Sequence, residues 1–195
     1  MLRLKLSTEP RWAYLAENNI KEALIDHAFC EQKAASSAIS LIVNFPEYPE
    51  IVTKMSEIAQ EEMDHFSQVH EKILSRGWTL GKERKDPYVG DLWLYFRGKG
   101  KGRRTILIDR LLFSAMIEAR SCERFRLLYK TVKDQELKNF YHKLEQSEAE
   151  HYSLFIALAR KYAPDDYDVE KTWQGFLEYE SKVVAKYGKT EHIHG

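Results

Sequence analysis

Two tetrads of the form Glu-x-x-His stand in the body of this chain, Glu62 to His65 and Glu148 to His151. Two further glutamates precede them at nearly equal intervals: Glu31 to Glu62 is 31 residues and Glu118 to Glu148 is 30. Carboxylates and imidazoles in this combination are ligands for divalent metal. A three-residue step on a helix puts both side chains of a tetrad on one face. Four carboxylates with only two imidazoles suit iron or manganese better than zinc or copper, and the ligands alone do not separate iron from manganese. Two divalent ions would set four positive charges against four carboxylates, which removes the mutual repulsion that buried glutamates would otherwise suffer.

The elements that must position these residues are helices. Glycine and proline are few, nine and five, and they cluster around Pro46 and Pro49, from Gly77 to Gly102, and at Pro164. The long segments between carry helical periodicity, with no competing alternation of the strand type. A short helix is expected after Ser7 and Thr8, with Pro10 near its first turn. Four long helices are expected over about 20–45, 49–76, 104–130 and 134–163, the last capped by Asp134, and a C-terminal helix over about 168–186, capped by Asp168. The connections at 44–50 and 131–134 are short, so each joins antiparallel neighbours. The connection from Gly77 to Arg103 is long. At roughly 3.3 Å per extended residue it can cross a 20-residue helix of about 30 Å. The expected fold is therefore all-α, one ferritin-like four-helix bundle over residues 1–195 with one long crossover and extra terminal helices.

Each long helix has one apolar ridge, and the candidate ligands interrupt it near mid-length. The second reads Ile51, Met55, Ile58, Glu62, His65, Val69, Ile73, and the fourth reads Leu137, Tyr141, Leu144, Glu148, His151, Phe155, Leu158. Glu31 follows Leu24 and His27 on the first ridge, and Glu118 follows Leu107, Leu111 and Ala115 on the third. The steps of three and four keep each set on one face. Glu61, Glu123, Glu145 and Glu150 lie one residue off, about 100° around the helix, and are not expected to be ligands. A glutamate from each of two helices and Glu-x-x-His from each of the other two is the pattern of di-iron and di-manganese carboxylate sites.

Composition excludes other classes. With 44 % apolar and 31 % charged residues the chain is globular rather than disordered. Thirty basic residues balance thirty acidic ones, so there is no overall pull towards nucleic acid or membrane. Two cysteines, Cys30 and Cys122, do not make a disulfide framework, and a reduced, cytoplasmic setting is the simpler expectation. The N-terminus lacks the apolar core of a signal peptide, and no apolar run approaches a membrane span.

Other residues carry weaker signals. His27 fits a hydrogen-bonded core histidine or, less simply, a support for the ligands. Cys122 fits a small packing residue, and Asp26 could orient a ligand. His192 and His194 belong to a solvated tail. The stretch FRGKGKGRR, 96–104, holds Arg97, Lys99, Lys101, Arg103 and Arg104 with no acid. It reads equally as a solvated loop or as a phosphate-contacting loop for RNA. Tyr88, Trp93, Tyr95 and Phe96 beside it could stack bases or pack on the bundle.

Four segments around the ligands are distinctive beyond their spacing: LIDHAFCEQKAASSAISL (24–41), EEMDHFSQV (61–69), MIEARSCERF (116–125) and LEQSEAEHY (144–152). They closely resemble the bacterial tRNA hydroxylase family that acts on 2-methylthio-N(6)-isopentenyladenosine, and the likeness runs from about Ser7 to Tyr162. IEARSCERF is the most specific part, since generic ferritins do not carry it. The resemblance implies an oxygen-dependent non-haem di-iron monooxygenase. Its substrate would be tRNA, hydroxylated on the isopentenyl group of the adenosine beside the anticodon. The implied co-substrate is dioxygen, the implied cofactor two iron ions, and an external electron donor is required. The family's metal ligands fall on Glu31, Glu62, His65, Glu118, Glu148 and His151. Phe29 and Gln32 depart from a family segment that usually reads DHAHCEKKAA, and Glu150 stands where an Arg is frequent. The ligands alone would equally suit a ferritin-like iron-oxidising protein or a di-iron oxidase with another substrate.

Overall fold

Proline at the first position of a helix and glycine just past its end frame the chain's second long helix. Pro49 needs no amide hydrogen there. At the other end Gly77 takes a left-handed φ of 73°, and Trp78 N–H donates back to the Ile73 carbonyl at 3.1 Å, which satisfies a carbonyl the helix leaves open. The computed structural model describes residues 2–83, 87–98, 102–187 and 192–193. Among them are seven helices and no strand: α1 Arg11–Asn18, α2 Ile20–Asn44, α3 Pro49–Ser75, α4 Pro87–Trp93, α5 Arg103–Thr131, α6 Gln135–Tyr162 and α7 Val169–Val184. The class is all-α and ferritin-like. None of these helices is long and apolar enough to cross a membrane.

The chain divides into two compact units, Asn19–Lys85 and the combination of Met1–Asn18 with Asp86–Gly195. The first unit is the pair α2 and α3, packed on one another and joined by a tight turn in which Tyr48 N–H donates to the Phe45 carbonyl at 3.2 Å. Leu24, Leu41, Ile51, Met55 and Ile73 are fully buried along its ridges, each contributing about 1.5–3 kcal/mol of apolar burial.

The second unit is built on the pair α5 and α6, with α1 against α5 and α4 against α7. Both expected caps form. Asp134 accepts from the amides of Glu136 and Leu137, and Asp168 accepts from that of Lys171, satisfying donors that the first turn leaves open. The single ridge expected for α5 understates its burial. Ile108, Leu112, Met116 and Ala119, off that ridge, are also fully buried. Within the crossover, α4 was not anticipated. Its signal is slight: Pro87 at the start, then Tyr88 and Leu92 four apart, both fully buried.

Aromatic side chains seat α4 and the turn after it on α7. Tyr95 stacks on Phe176 with centroids 5.0 Å apart, Phe96 meets the same ring edge-on at 4.7 Å, and Tyr95 Oη donates to the Thr172 carbonyl at 3.1 Å. Tyr88, Tyr95 and Phe96 are therefore packing residues rather than base platforms, while Trp93 is 40 % exposed. The hydroxyl of Tyr95 lies over Gly175, where a β-carbon would come within 2.5 Å of it. Gly175→Ala is therefore expected to destabilise the protein by about 1–3 kcal/mol in urea unfolding. Adding Tyr95→Phe, which removes the clashing oxygen, should recover part of that loss.

Candidate metal centre

Helical spacing brings the donors together within each unit. On α2 and α3, one donor atom each from Glu31, Glu62 and His65 lie within 4.8 Å of one another, and all three side chains are buried. His65 Nδ1 is 3.4 Å from Glu62 Oε2 and 4.0 Å from Glu31 Oε2. On α5 and α6, donor atoms of Glu118, Glu148 and His151 also lie within 4.8 Å of one another, again all buried. Each unit thus carries the same set: a lone glutamate on one helix, and Glu-x-x-His on its neighbour. Charged groups are buried at this cost only when cations or hydrogen bonds compensate, and no lysine or arginine among the described residues of α2 and α3 is buried. Two carboxylates and an imidazole converging in a buried pocket are the donor set of a carboxylate metal centre, and iron fits it.

The neighbouring acids have other work. Glu61 is exposed, with its carboxylate 3.9 Å from His65 Nε2. Glu145 binds Arg126, with 2.9 Å to Nε, and Glu150 is exposed. His27 is fully buried, and its Nε2 sits 2.5 Å from Glu31 Oε1. Burial pulls its pKa down to about 3, so the ring is neutral. Cys122 donates to the Glu145 carbonyl at 3.3 Å, and burial pushes its thiol up to about 11. It is an inert packing residue, not a nucleophile. Asp26 is buried and lies 4.0 Å from the Cys30 sulfur.

The rest of the segment IEARSCERF carries a second buried network. Arg120 is fully buried. Its guanidinium donates to Glu180 on α7 at 2.6 Å, to the Leu6 carbonyl at 3.1 Å, to Thr8 Oγ1 at 3.1 Å and to Glu123. Tyr88 of α4 donates to the same Glu180 oxygen at 2.9 Å. One turn on, Arg124 lies over the Trp12 ring at 4.7 Å and donates to the His192 carbonyl at 2.7 Å. The tail expected to be solvated is thereby anchored through the backbone of His192, whose side chain is half-exposed. The His192 carbonyl is held by Arg124 and by Trp12 Nε1, and Ile193 is fully buried. His194 lies outside the described residues. Sequence reasoning missed this network; its trace is the pair of arginines four residues apart on the flank of α5 away from its ridge.

Of the basic stretch, Arg97, Arg103 and Arg104 are exposed, and Lys99 and Lys101 lie outside the described residues. Arg104 Nε donates to the Tyr162 carbonyl at the end of α6, at 2.9 Å. Arg103 and Arg104 open α5, where the helix dipole disfavours positive charge.

Comparison with known proteins adds the following. A family model described as tRNA-(MS[2]IO[6]A)-hydroxylase (MiaE) matches residues 2–195. A protein of Pseudomonas putida named tRNA 2-(methylsulfanyl)-N(6)-isopentenyladenosine(37) hydroxylase is 38% identical over 164 residues, 84% of this chain and 78% of that relative. A protein of the same name from Salmonella typhimurium is 36% identical over 133 residues, 66% of this chain and 46% of that relative. Among solved structures, "Protein 43 with aldehyde deformylating oxygenase activity from Synechococcus" superposes with a TM-score of 0.88 at 31% identity, covering 98% of this chain and 95% of that one.

The buried Arg120–Glu180 pair makes a direct prediction. Arg120→Met leaves Glu180 charged in the interior and should cost about 3–5 kcal/mol in chemical unfolding. The double variant with Glu180→Leu should be markedly more stable than the single one.

Proposed function

The chain belongs to the tRNA-(MS[2]IO[6]A)-hydroxylase family, and on that footing we propose that it hydroxylates the isopentenyl group of 2-methylthio-N(6)-isopentenyladenosine in tRNA, next to the anticodon. The observation that carries this reading is a family match over nearly the whole chain, in a protein that buries a Glu, Glu, His set in each of its two helix pairs. The six ligands are Glu31, Glu62, His65, Glu118, Glu148 and His151, and they hold two iron ions. The bound ions supply the activation of dioxygen, with electrons from an external reductase. In the balanced reaction one oxygen atom enters a C–H bond of the isopentenyl methyl to give an alcohol. The other leaves as water, consuming two electrons and two protons.

The chain's own residues bind, orient and exclude. The glutamates and histidines sit on four long helices, whose packed ridges fix their rotamers better than loops would. Burial of the donors keeps bulk water from the oxidising site. The protonated Cys122 thiol, bonded to the Glu145 carbonyl, offers no competing thiolate. Arg97, Lys99, Lys101, Arg103 and Arg104 contact tRNA phosphates, and the half-exposed Trp93 lies beside them in sequence. The exposure of Arg97, Arg103 and Arg104 at the start of α5 and just before it supports that role. On this reading the protein acts in the cytoplasm, with tRNA.

Three measurements test the reading. Mass spectrometry of tRNA nucleosides from cells that make the precursor should show the hydroxylated nucleoside disappear on deletion of the gene; unchanged levels would sink the proposal. Elemental analysis should find two irons per chain, and Glu62→Ala or His151→Ala should lose metal. Replacing Arg97 and Arg103 by alanine, while sparing the Arg104 contact to Tyr162, should weaken tRNA binding. It should also lower the slope of log affinity against log salt by about one per lost contact.

A further inference from the structure

His27 and Glu31 are four residues apart on α2, so their side chains stack on one face. His27 is fully buried and Glu31 is 4 % exposed. The 2.5 Å contact between His27 Nε2 and Glu31 Oε1 is made by a ring N–H, because an ionised carboxylate has no proton to donate. The two oxygens of Glu31 therefore face different ways. Oε1 is held by the imidazole, and Oε2 is turned towards His65, 4.0 Å from its Nδ1, where Glu62 also converges. A glutamate side chain has three rotatable bonds, and a ligand of that kind must be locked by its surroundings to be useful. The turn of α2 one step from the donor set supplies that lock. The other lone glutamate, Glu118 on α5, has Ser114 rather than a histidine at the same offset.

We propose that His27 is a positioning residue for metal binding, whose hydrogen bond to Glu31 aims that carboxylate at the ion it shares with His65. The proposal rests on the reading that Glu31 is a metal ligand. Its consequence is an asymmetry between the two ions: removing the hydrogen bond weakens the ion that Glu31 holds and spares the other.

The test uses the metal-free full chain titrated with cobalt(II), followed by the visible absorption of the bound ion. Wild type should take up two equivalents. His27→Leu should keep one tight equivalent and bind the second about 10–100-fold more weakly. His27→Gln, whose amide can still donate to Glu31, should recover about tenfold of that loss. Helical circular dichroism checks the fold. If His27→Leu fails to fold, His27→Asn, polar but too short to reach Glu31, takes its place and must show the same weakening. Two equivalents at wild-type affinity in the leucine or asparagine variant would overturn the proposal, as would a glutamine variant no better than them. Glu31→Ala separates the premise from the inference. If it binds both equivalents as wild type does, the ligand assignment itself is wrong. If it loses one while His27→Leu loses none, only the role of His27 falls.

Discussion

An ionised carboxylate loses several kcal/mol of hydration when it leaves water, and only a nearby cation or a full set of hydrogen bonds makes up the difference. This chain buries carboxylates repeatedly. Glu31, Glu62, Glu118 and Glu148 interrupt apolar ridges near the middle of four long helices, and Glu180 is fully buried on α7. The structure answers the cost in two ways. For Glu180 the answer is internal: the Arg120 guanidinium and the Tyr88 hydroxyl converge on one of its oxygens. For the other four, two in each unit, a second carboxylate and an imidazole converge with them, an arrangement that suits divalent metal.

The two systems share α5. One flank carries Glu118 on the ridge that meets α6. The other carries Arg120 and Arg124, which tie down the N-terminal segment, α4, α7 and the residues around His192. A helix asked to hold a ligand on one side and four chain segments on the other has little freedom to roll. That accounts for its burial on nearly every face and for the charge-rich segment IEARSCERF, in which one glutamate is a proposed ligand and the other charged residues are structural.

Much of this was legible beforehand because it is local. Helix ends follow from Pro49, Gly77, Asp134 and Asp168, whose effects act within one turn. The membership of Glu31, Glu62, His65, Glu118, Glu148 and His151 in core ridges follows from steps of three and four. The off-ridge acids were set aside on the same arithmetic, and the structure places Glu61 and Glu150 in solvent and Glu145 on Arg126. His27 was ambiguous at that level, since the register that makes it a core residue also stacks it on Glu31. The structure adds its contact with Glu31.

The sequence by itself determined every helix but α4, the pairing of α2 with α3 and of α5 with α6 through short turns, and the core register of the six candidate donors, since each depends on residues within a turn or on the length of a connection. Only the tertiary structure decided which off-ridge charges are interior. Arg120 meets Glu180 across 60 residues and Tyr88 meets it across 92, and no periodicity links positions so far apart. The docking of α4 through its aromatic neighbours, and of the chain at His192 on Arg124 and Trp12, was hidden for the same reason. A partner that arrives from a distant segment leaves no pattern beside the residue it will pair with.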